Sequence, residues 1–311
     1  MRKCFCVVLA AAVLLLALAG CSPAEEQLTV LTIGTADSGG TMYPVGAAIA
    51  QTLSGERLKI NVGASTGSTM NIKNLQNGAV DLALVSGDAA MEELAQNEDS
   101  GLRAVAAVFT SMSGWMAPVC GGAEYVHDLQ GKHIGIGPES SATEMAARVS
   151  IKTLGLEENG GTWENCALGT GAEKVISGEM DAIHAFAGIP VEGLAQLAQA
   201  YPCRLLTYTE EELGSILAEN PIYIRTAIPA NTYKGQTEPV ETFGVKCLLC
   251  VDARMDEELV YEITRALWEN RERLAQSHPA MRQMESPVFL YEELPIPLHE
   301  GAAGFYNEQT E

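Results

Sequence analysis

The sequence predicts an α/β fold of two lobes that are joined by two long strands. Short apolar segments rich in β-branched residues alternate with helical segments over residues 28–96, and the same alternation returns over residues 133–206. Such an order of strands and helices is typical of parallel sheets. Two further extended apolar stretches, residues 105–119 and 245–251, follow these two runs. We therefore expect a hinged clamshell with two connecting strands.

The first lobe is expected to contain three strands and three helices. Each helix follows a turn that contains Gly or Ser, and such residues favour a tight change of chain direction. Strands are predicted over residues 28–34, 58–63 and 80–86, with helices over residues 43–53, 67–78 and 89–96.

The second lobe repeats this order. Strands are predicted over residues 133–137, 181–186 and 203–206, with helices over residues 142–154 and 190–200. Thr209 and Glu212 form a capping box, which starts a helix that ends near Asn220. A strand over residues 245–251 and one long amphipathic helix over residues 256–275 follow. We assign the first lobe to residues 28–117 and 252–311, and the second lobe to residues 118–251.

The charge balance limits the partners of the chain. It has 40 Asp and Glu against 19 Lys and Arg, a formal net charge of -21, and 47% hydrophobic residues. Nucleic acid would be repelled by this charge, and no basic stripe offsets it, so we expect no nucleic acid partner. The apolar fraction is sufficient for a hydrophobic core. We expect a monomer.

The first residues have the features of a bacterial lipoprotein signal. Arg2 and Lys3 precede a short apolar run, which ends in Leu18-Ala19-Gly20-Cys21. A basic start, a short apolar segment and small residues before a cysteine are signs of export and cleavage. We expect residues 1–20 to be removed, Cys21 to carry the lipid and residues 21–27 to form a tether. Two acyl chains would anchor the protein on the outer side of the cytoplasmic membrane. A plain secretory signal is the alternative.

The cysteine and histidine patterns favour packing roles over redox or metal chemistry. The cysteines left after processing are Cys120, Cys166, Cys203, Cys247 and Cys250. The last two form a C-x-x-C inside an apolar strand, where residues three apart face opposite sides, so we expect buried free thiols. The histidines show no metal-ligand spacing, and they are His127, His133, His184, His278 and His299. We expect no metal and no cofactor.

Four predicted strands end in loops of small polar residues that lead into a helix. The loops are residues 37–40, 64–68, 86–88 and 138–143. Ligands of open α/β sheets bind beyond the carboxyl ends of the strands. Free backbone N–H groups and the positive end of a helix dipole suit an anionic group there. We therefore expect a cleft for a small carboxylate, although an ordinary turn or cap would explain any one of these loops.

Short motifs occur in a fixed order along the chain. They are Gly39-Gly40-Thr41-Met42-Tyr43-Pro44, Ser68 with Asn71, Asp81-Leu82-Ala83-Leu84-Val85 with Asp88, Asp128-Leu129-Gln130-Gly131-Lys132, Gly137-Pro138 with Thr143-Glu144, Gly188-Ile189-Pro190, Ile228-Pro229-Ala230-Asn231 and Leu294-Pro295-Ile296-Pro297-Leu298-His299. In this order they resemble the TAXI-type solute receptors of tripartite ATP-independent periplasmic (TRAP) transporters. The resemblance covers nearly the whole chain after the signal.

This resemblance implies a type II periplasmic-binding-protein clamshell. Such a receptor captures a small organic anion, often glutamate or 2-oxoglutarate, and delivers it to the TRAP membrane subunit. The implied ligand contacts are Gly39, Gly40, Tyr43, Ser65, Thr66, Gly67, Ser68, Asn71, Ser86, Asp88, Ser140, Ser141 and Thr143, with Phe186 and Gly188 on the facing wall. A carboxylate at Asp88 would attract a ligand ammonium, which favours an acidic amino acid over an oxo-acid.

The chain departs from the usual family pattern near this site. Met42 stands where a tyrosine is usual, and Ser140-Ser141-Ala142 stands where Gly-Ser-Gly is usual. Both positions lie close to the implied ligand contacts. The substrate can therefore differ from the one that is usual in the family.

Two other functions fit parts of the sequence. Gly63-Ala64-Ser65-Thr66-Gly67 matches the G-x-S-x-G turn of a serine hydrolase, and it lies between a predicted strand and a predicted helix. Such an enzyme would need a histidine, such as His184 or His299, within reach of Ser65. No HGGG-like oxyanion segment accompanies the motif, so we expect a receptor and not an enzyme. A clamshell receptor that serves another importer or a sensor kinase is the second alternative.

Overall fold

The computed structural model describes residues 28–157 and 160–310, so the predicted signal peptide and tether lie outside the described residues. In this part of the chain all named strands belong to one sheet. They are β1 (Thr29–Gly34), β2 (Leu58–Gly63), β3 (Leu82–Ser86), β4 (Leu102–Pro118), β5 (His133–Gly135), β6 (Thr162–Glu164), β7 (Ala182–Ala187), β8 (Cys203–Leu206), β9 (Ile224–Ile228) and β10 (Val240–Asp252). The strand order is β2-β1-β3-β10-β4-β7-β5-β6, with β8 on β4 and β9 on β10.

Helices lie on both sides of this sheet. They are α1 (Met42–Leu53), α2 (Ser68–Gln76), α3 (Gly87–Gln96), α4 (Ala142–Thr153), α5 (Leu168–Ser177), α6 (Glu192–Ala200), α7 (Glu210–Glu219), α8 (Glu257–Glu269), α9 (Arg271–Ser277), α10 (Pro287–Tyr291) and α11 (Glu300–Thr310). Short 3₁₀ helices span Val119–Gly121, Val126–Leu129 and Pro279–Glu285. None of the helices in the described residues is long and apolar enough to cross a membrane.

The two long strands β4 and β10 connect two halves of the sheet. In the first half β1 pairs in parallel with β2 and β3, and in the second half β5 pairs in parallel with β6 and β7. Strand β10 pairs with β9 through Val240–Gly244 and with β3 through Cys247–Cys250. Strand β4 pairs with β10 along its first part and with β7 from Met112 onward. The α/β class with two halves and two connecting strands is thus confirmed.

Apolar residues pack on both faces of each half. In the first half, α1 and the C-terminal helices cover one face around Ile33, Val45 and Leu267, while α2 and α3 cover the other face. In the second half, α4 and α7 cover one face, and α5 and α6 cover the other. We call these the first half (β1–β3, α1–α3 and α8–α11) and the second half (β5–β9 and α4–α7). The lobe boundaries at residues 117/118 and 251/252 stay a prediction.

The C-x-x-C cysteines occupy opposite faces of β10. Cys247 belongs to the cluster under α1, and Cys250 belongs to the cluster under α2 and α3. Both are free and fully buried. Burial raises the pKa of each thiol, so both thiols are held in the protonated form.

Several elements differ from the expectation. The helix expected over residues 256–275 is broken at Asn270, which ends α8 and begins α9. Strand β6 has only three residues, which is too short for a hydrophobic pattern to show. Helix α5 is not expected from the sequence, because it contains two glycines, and glycine is unfavourable in helices.

The capping box of Thr209 and Glu212 is confirmed at the start of α7.

Candidate functional site

A small cavity lies between the two halves. Among the residues predicted as ligand contacts, those that line it are Gly40, Thr66, Gly67, Ser68, Ser141, Thr143 and Phe186. Residues that line it but were not predicted as contacts are Ala36, Asp37, Thr41, Met42, Phe109, Ser111, Pro138, Ala142, Leu168 and Ala187. The site is therefore built from both halves and from the connecting strand β4.

The first turns of α2 and α4 meet at this cavity. Gly67 precedes α2 with φ of 122°, which a glycine adopts readily. A Cβ atom on Gly67 would lie 3.5 Å from Cβ of Ser141, the residue that precedes α4. The first N–H groups of a helix have no partner within the helix, and the helix dipole is positive there. Two helices from opposite halves thus present anion-binding ends to one space.

Asn71 and Ser65 shape the loop that leads into α2. The buried Asn71 donates from Nδ2 to the carbonyl oxygens of Thr35, at 2.7 Å, and of Leu84, at 2.8 Å. Ser65 Oγ donates to Asn71 Oδ1 at 2.7 Å and accepts from the N–H of Gly67 at 2.9 Å. Neither residue lines the cavity. Both hold the loop in place behind it.

Ser65 therefore lacks the surroundings of a hydrolase nucleophile. Its hydroxyl contacts Asn71 and the carbonyl oxygen of Thr35. Of the two candidate histidines, His184 uses its ring nitrogens for Ser113 Oγ and the carbonyl of Thr143. His299 accepts from the N–H of Gly301 through Nδ1. No hydrogen bond in the described residues joins Ser65 to a histidine.

On the second half, His184 supports the cavity residue Thr143 from behind. His184 Nδ1 lies 3.1 Å from the carbonyl oxygen of Thr143, and Nε2 lies 2.9 Å from Ser113 Oγ. Burial lowers the pKa of His184 to about 3. The ring is therefore neutral, with the Nδ1 proton donated to Thr143. The N–H of Phe186 donates to Thr143 Oγ1 at 3.2 Å, which fixes the hydroxyl beside the cavity.

Gly39 and Gly188, which do not line the cavity, join the two halves beside it. The N–H of Gly193 donates to the carbonyl oxygen of Gly39 at 3.1 Å. The hydroxyl of Thr41 donates to the carbonyl oxygen of Gly188. These two contacts link the loop before α1 to the second half, so the described conformation is one in which the halves touch.

The other predicted contacts lie farther out. Tyr43 is 38% exposed on the first turn of α1, and Ser140 is exposed with φ of 62° and donates its N–H to Glu144 Oε2. Ser86 is buried at the end of β3, where its N–H donates to Ser68 Oγ at 3.0 Å.

Asp88 lies outside the cavity lining and is engaged with protein groups. Its Oδ2 accepts from the hydroxyl of Tyr223 at 2.8 Å, and its Oδ1 accepts from the N–H of Ala89 at 2.9 Å. Burial raises the pKa of Asp88, and the hydrogen bonds to the carboxylate oppose this effect. Another carboxylate, Asp37, does line the cavity.

The fold with its central cavity is the periplasmic-binding-protein-like fold of two-lobe binding proteins. A structure from Bordetella bronchiseptica RB50 matches 91% of this chain and 83% of its own, with a TM-score of 0.52 and 17% identity. The ligand-binding component of an ABC-type import system from Staphylococcus aureus, with zinc bound, matches 90% of this chain and 89% of its own, with a TM-score of 0.50 and 12% identity. At such identities the likeness concerns the fold.

The family of the chain follows from its sequence. A sequence profile of the NMT1-like family matches residues 33–310, so the chain belongs to the NMT1-like family. In the described residues no group of three or more His, Cys, Asp or Glu is arranged to hold a metal ion.

Proposed function

We propose that this protein is an extracytoplasmic solute receptor that binds a small carboxylate between its two halves and delivers it to a membrane transporter. The observation that carries the proposal is the meeting of the α2 and α4 N-termini at one cavity. Backbone N–H groups at helix starts bind carboxylates without a cationic side chain. No Lys or Arg is among the described residues that line the cavity.

The proposed transporter is of the TRAP type, with this chain as its TAXI-type receptor. The ordered sequence motifs support this assignment, and membership in the NMT1-like family is compatible with it. The Staphylococcus aureus structure belongs to an ABC-type import system, so a receptor for another importer is the competing assignment. If a TRAP membrane subunit is encoded beside this chain, loss of uptake of the bound solute on its deletion supports the first assignment. Unchanged uptake supports the second.

The proposed location is the outer side of the cytoplasmic membrane, with the lipid on Cys21. The basic residues, the short apolar run and the sequence Leu18-Ala19-Gly20-Cys21 support it. The serine hydrolase alternative loses support, because the hydroxyl of Ser65 contacts Asn71 Oδ1 and the carbonyl oxygen of Thr35 instead of a histidine.

A ligand screen with a matched pair of variants tests the receptor function. The chain, purified in detergent, is titrated with monocarboxylates, dicarboxylates, amino acids and oxo-acids by calorimetry. Thr143→Val removes a hydroxyl from the cavity, and Thr153→Val removes one from the far end of the same helix. We expect a ligand whose affinity falls in Thr143→Val and stays unchanged in Thr153→Val. If no carboxylate binds the wild-type chain, the proposal is wrong.

A further inference from the structure

The cavity carries one charged side chain among its described lining residues, and that side chain is acidic. Asp37 precedes the glycines of the first loop, and its Oδ1 accepts from the N–H of Gly39 at 2.9 Å. Its Oδ2 accepts no hydrogen bond within the described residues. Gly40 lines the cavity, and a Cβ atom built on Gly40 would lie 4.0 Å from this oxygen. Asp37 therefore offers an unused carboxylate oxygen at the cavity.

Ser111 supplies an independent sign that a polar ligand group belongs here. It lies on the connecting strand β4, is 1% exposed and lines the cavity. Its hydroxyl has no hydrogen-bond partner within the described residues. A buried hydroxyl without a partner is unfavourable, and most such groups in proteins are paired. A ligand in the cavity is the natural partner of this hydroxyl.

The charge of the site favours a ligand with an ammonium group beside its carboxylate. The first residues of α1, α2, α4 and α5 line the cavity, so positive helix ends are available for a carboxylate, while Glu144 already occupies the first turn of α4. A second carboxylate would meet no cationic side chain among the described lining residues, and Asp37 would repel it. A ligand ammonium would instead pair with Asp37.

The remaining walls are apolar. Phe109, Phe186, Leu168 and Met42 line the cavity, and the space between them is small. A charged or extended side chain would lose its hydration there without gaining partners. Such walls suit a compact, uncharged side chain.

We infer that the ligand is a neutral α-amino acid with a compact side chain, whose ammonium pairs with Asp37 and whose carboxylate binds at the N-termini of α2 and α4. Ser111 donates or accepts one further hydrogen bond to its polar groups. This inference rests on the proposed receptor function and narrows it. It differs from the glutamate or 2-oxoglutarate that the resemblance suggests.

Matched pairs of ligands test the inference. The chain in detergent is titrated by calorimetry with L-alanine and pyruvate, with L-valine and 2-oxoisovalerate, and with L-glutamate and 2-oxoglutarate. The members of each pair differ at one group, the amine or the keto oxygen. The variants are Asp37→Asn and Ser111→Ala, with Asp99→Asn and Ser100→Ala as controls. Asp99 is exposed and Ser100 is buried before the start of β4, both outside the cavity lining.

We expect a neutral amino acid to bind tightly and the oxo-acid of the same pair to bind at least about tenfold more weakly. Asp37→Asn should lower the affinity for the amino acid by about tenfold or more and leave the affinity for the oxo-acid nearly unchanged. Ser111→Ala should weaken binding by several-fold, and the two controls should not. If glutamate or 2-oxoglutarate binds the wild-type chain as tightly as the neutral amino acids, the inference is overturned and the receptor function stands. If none of the six compounds binds, the inference is overturned, and the receptor function is overturned only if the wider carboxylate screen also finds no ligand.

Discussion

The hydroxyl of Tyr223 donates a 2.8 Å hydrogen bond to Oδ2 of Asp88, and the two residues lie 135 positions apart. Asp88 is on the first turn of α3 in the first half, and Tyr223 directly precedes β9 in the second half. Both side chains are buried, and the ring of Tyr223 packs against Phe186 and Phe243. One hydrogen bond thus joins the two halves behind the cavity wall that Phe186 forms.

Asp88→Asn should change how stability depends on pH. Burial raises the pKa of Asp88 above its ordinary value of 3.8, so the folded chain binds this proton more tightly than the unfolded chain. The contribution of Asp88 to stability is therefore present at low pH and is lost as the pH rises above that value. Asn cannot ionise. We expect the free energy of unfolding of the variant to rise relative to wild type as the pH rises above about 4.

Urea unfolding at several pH values measures this difference. Asp99→Asn, at an exposed position, is the control for the loss of one carboxylate. Parallel curves for Asp88→Asn and wild type would show that Asp88 ionises with equal ease in the folded and unfolded chain.

His184 should make the chain sensitive to acid. Burial lowers its pKa from 6.5 to about 3, so the unfolded chain binds this proton more tightly between these values. Stability is consequently lost as the pH falls through that window, by at most about 1.4 kcal/mol per pH unit. His184→Gln keeps a donor and an acceptor but does not titrate. We expect it to lose less stability than wild type between about pH 6.5 and pH 4.5 in urea unfolding.

An equal acid-induced loss of stability in wild type and His184→Gln would contradict the buried neutral state of His184.

Ser65→Ala separates a loop-supporting serine from a nucleophile. The Ser65 hydroxyl accepts from the N–H of Gly67 and donates its one hydrogen to Asn71 Oδ1 or to the carbonyl oxygen of Thr35, so the variant loses two hydrogen bonds that hold the loop before α2. Each such bond contributes about 0.5–1.5 kcal/mol, so we expect ligand affinity to fall by about three- to tenfold. A fluorophosphonate probe should not label wild-type Ser65. Mass spectrometry of the treated protein checks this, with exposed Ser177→Ala as the affinity control, and a labelled Ser65 peptide would favour the hydrolase.

Individual strands, helix starts and caps of this fold can be predicted from the sequence, because each depends on residues that are neighbours along the chain. Strand β1, the helix starts after Gly40, Gly67 and Ser141, and the capping box at Thr209 each depend on neighbouring residues. The sequence therefore predicts the loops that approach the cavity. It does not predict which side chains of those loops point into it.

Ser111 and Asp88 show why. Strand β4 is buried on both faces around Ser111, so no alternation of polar and apolar residues marks the cavity side. Asp88 follows β3 in a loop like the others, and its distant partner Tyr223 draws the carboxylate away from the cavity lining. Long-range packing decides both cases.

Cys21→Ala tests the proposed lipid anchor. Without the thiol no thioether to a diacylglycerol forms, so the chain should stay unprocessed or leave the membrane. Membrane fractionation and the mass of the mature N-terminus measure both outcomes, with Cys120→Ala as the control. Unaltered membrane association of a correctly cleaved Cys21→Ala chain would contradict the lipoprotein assignment.

Gly39→Ala should weaken ligand binding by obstructing contact between the halves. A Cβ atom on Gly39 would lie 3.0 Å from the backbone nitrogen of Gly169 and 3.1 Å from Oδ1 of Asp37, and both distances are shorter than most contacts of side-chain carbons. The Asp37 side chain can move aside, but the backbone of Gly169 cannot. The contact would also strain the hydrogen bond from Gly193 to the carbonyl of Gly39.

Gly169→Ala is the matched control, because its Cβ would meet no atom within 4 Å. We expect affinity to fall by about tenfold in Gly39→Ala, a cost of about 1.4 kcal/mol, while the melting temperature of the unliganded chain changes little. Calorimetry and thermal unfolding of both variants measure this. Equal affinities for the two variants would mean that ligand binding does not depend on closure at Gly39.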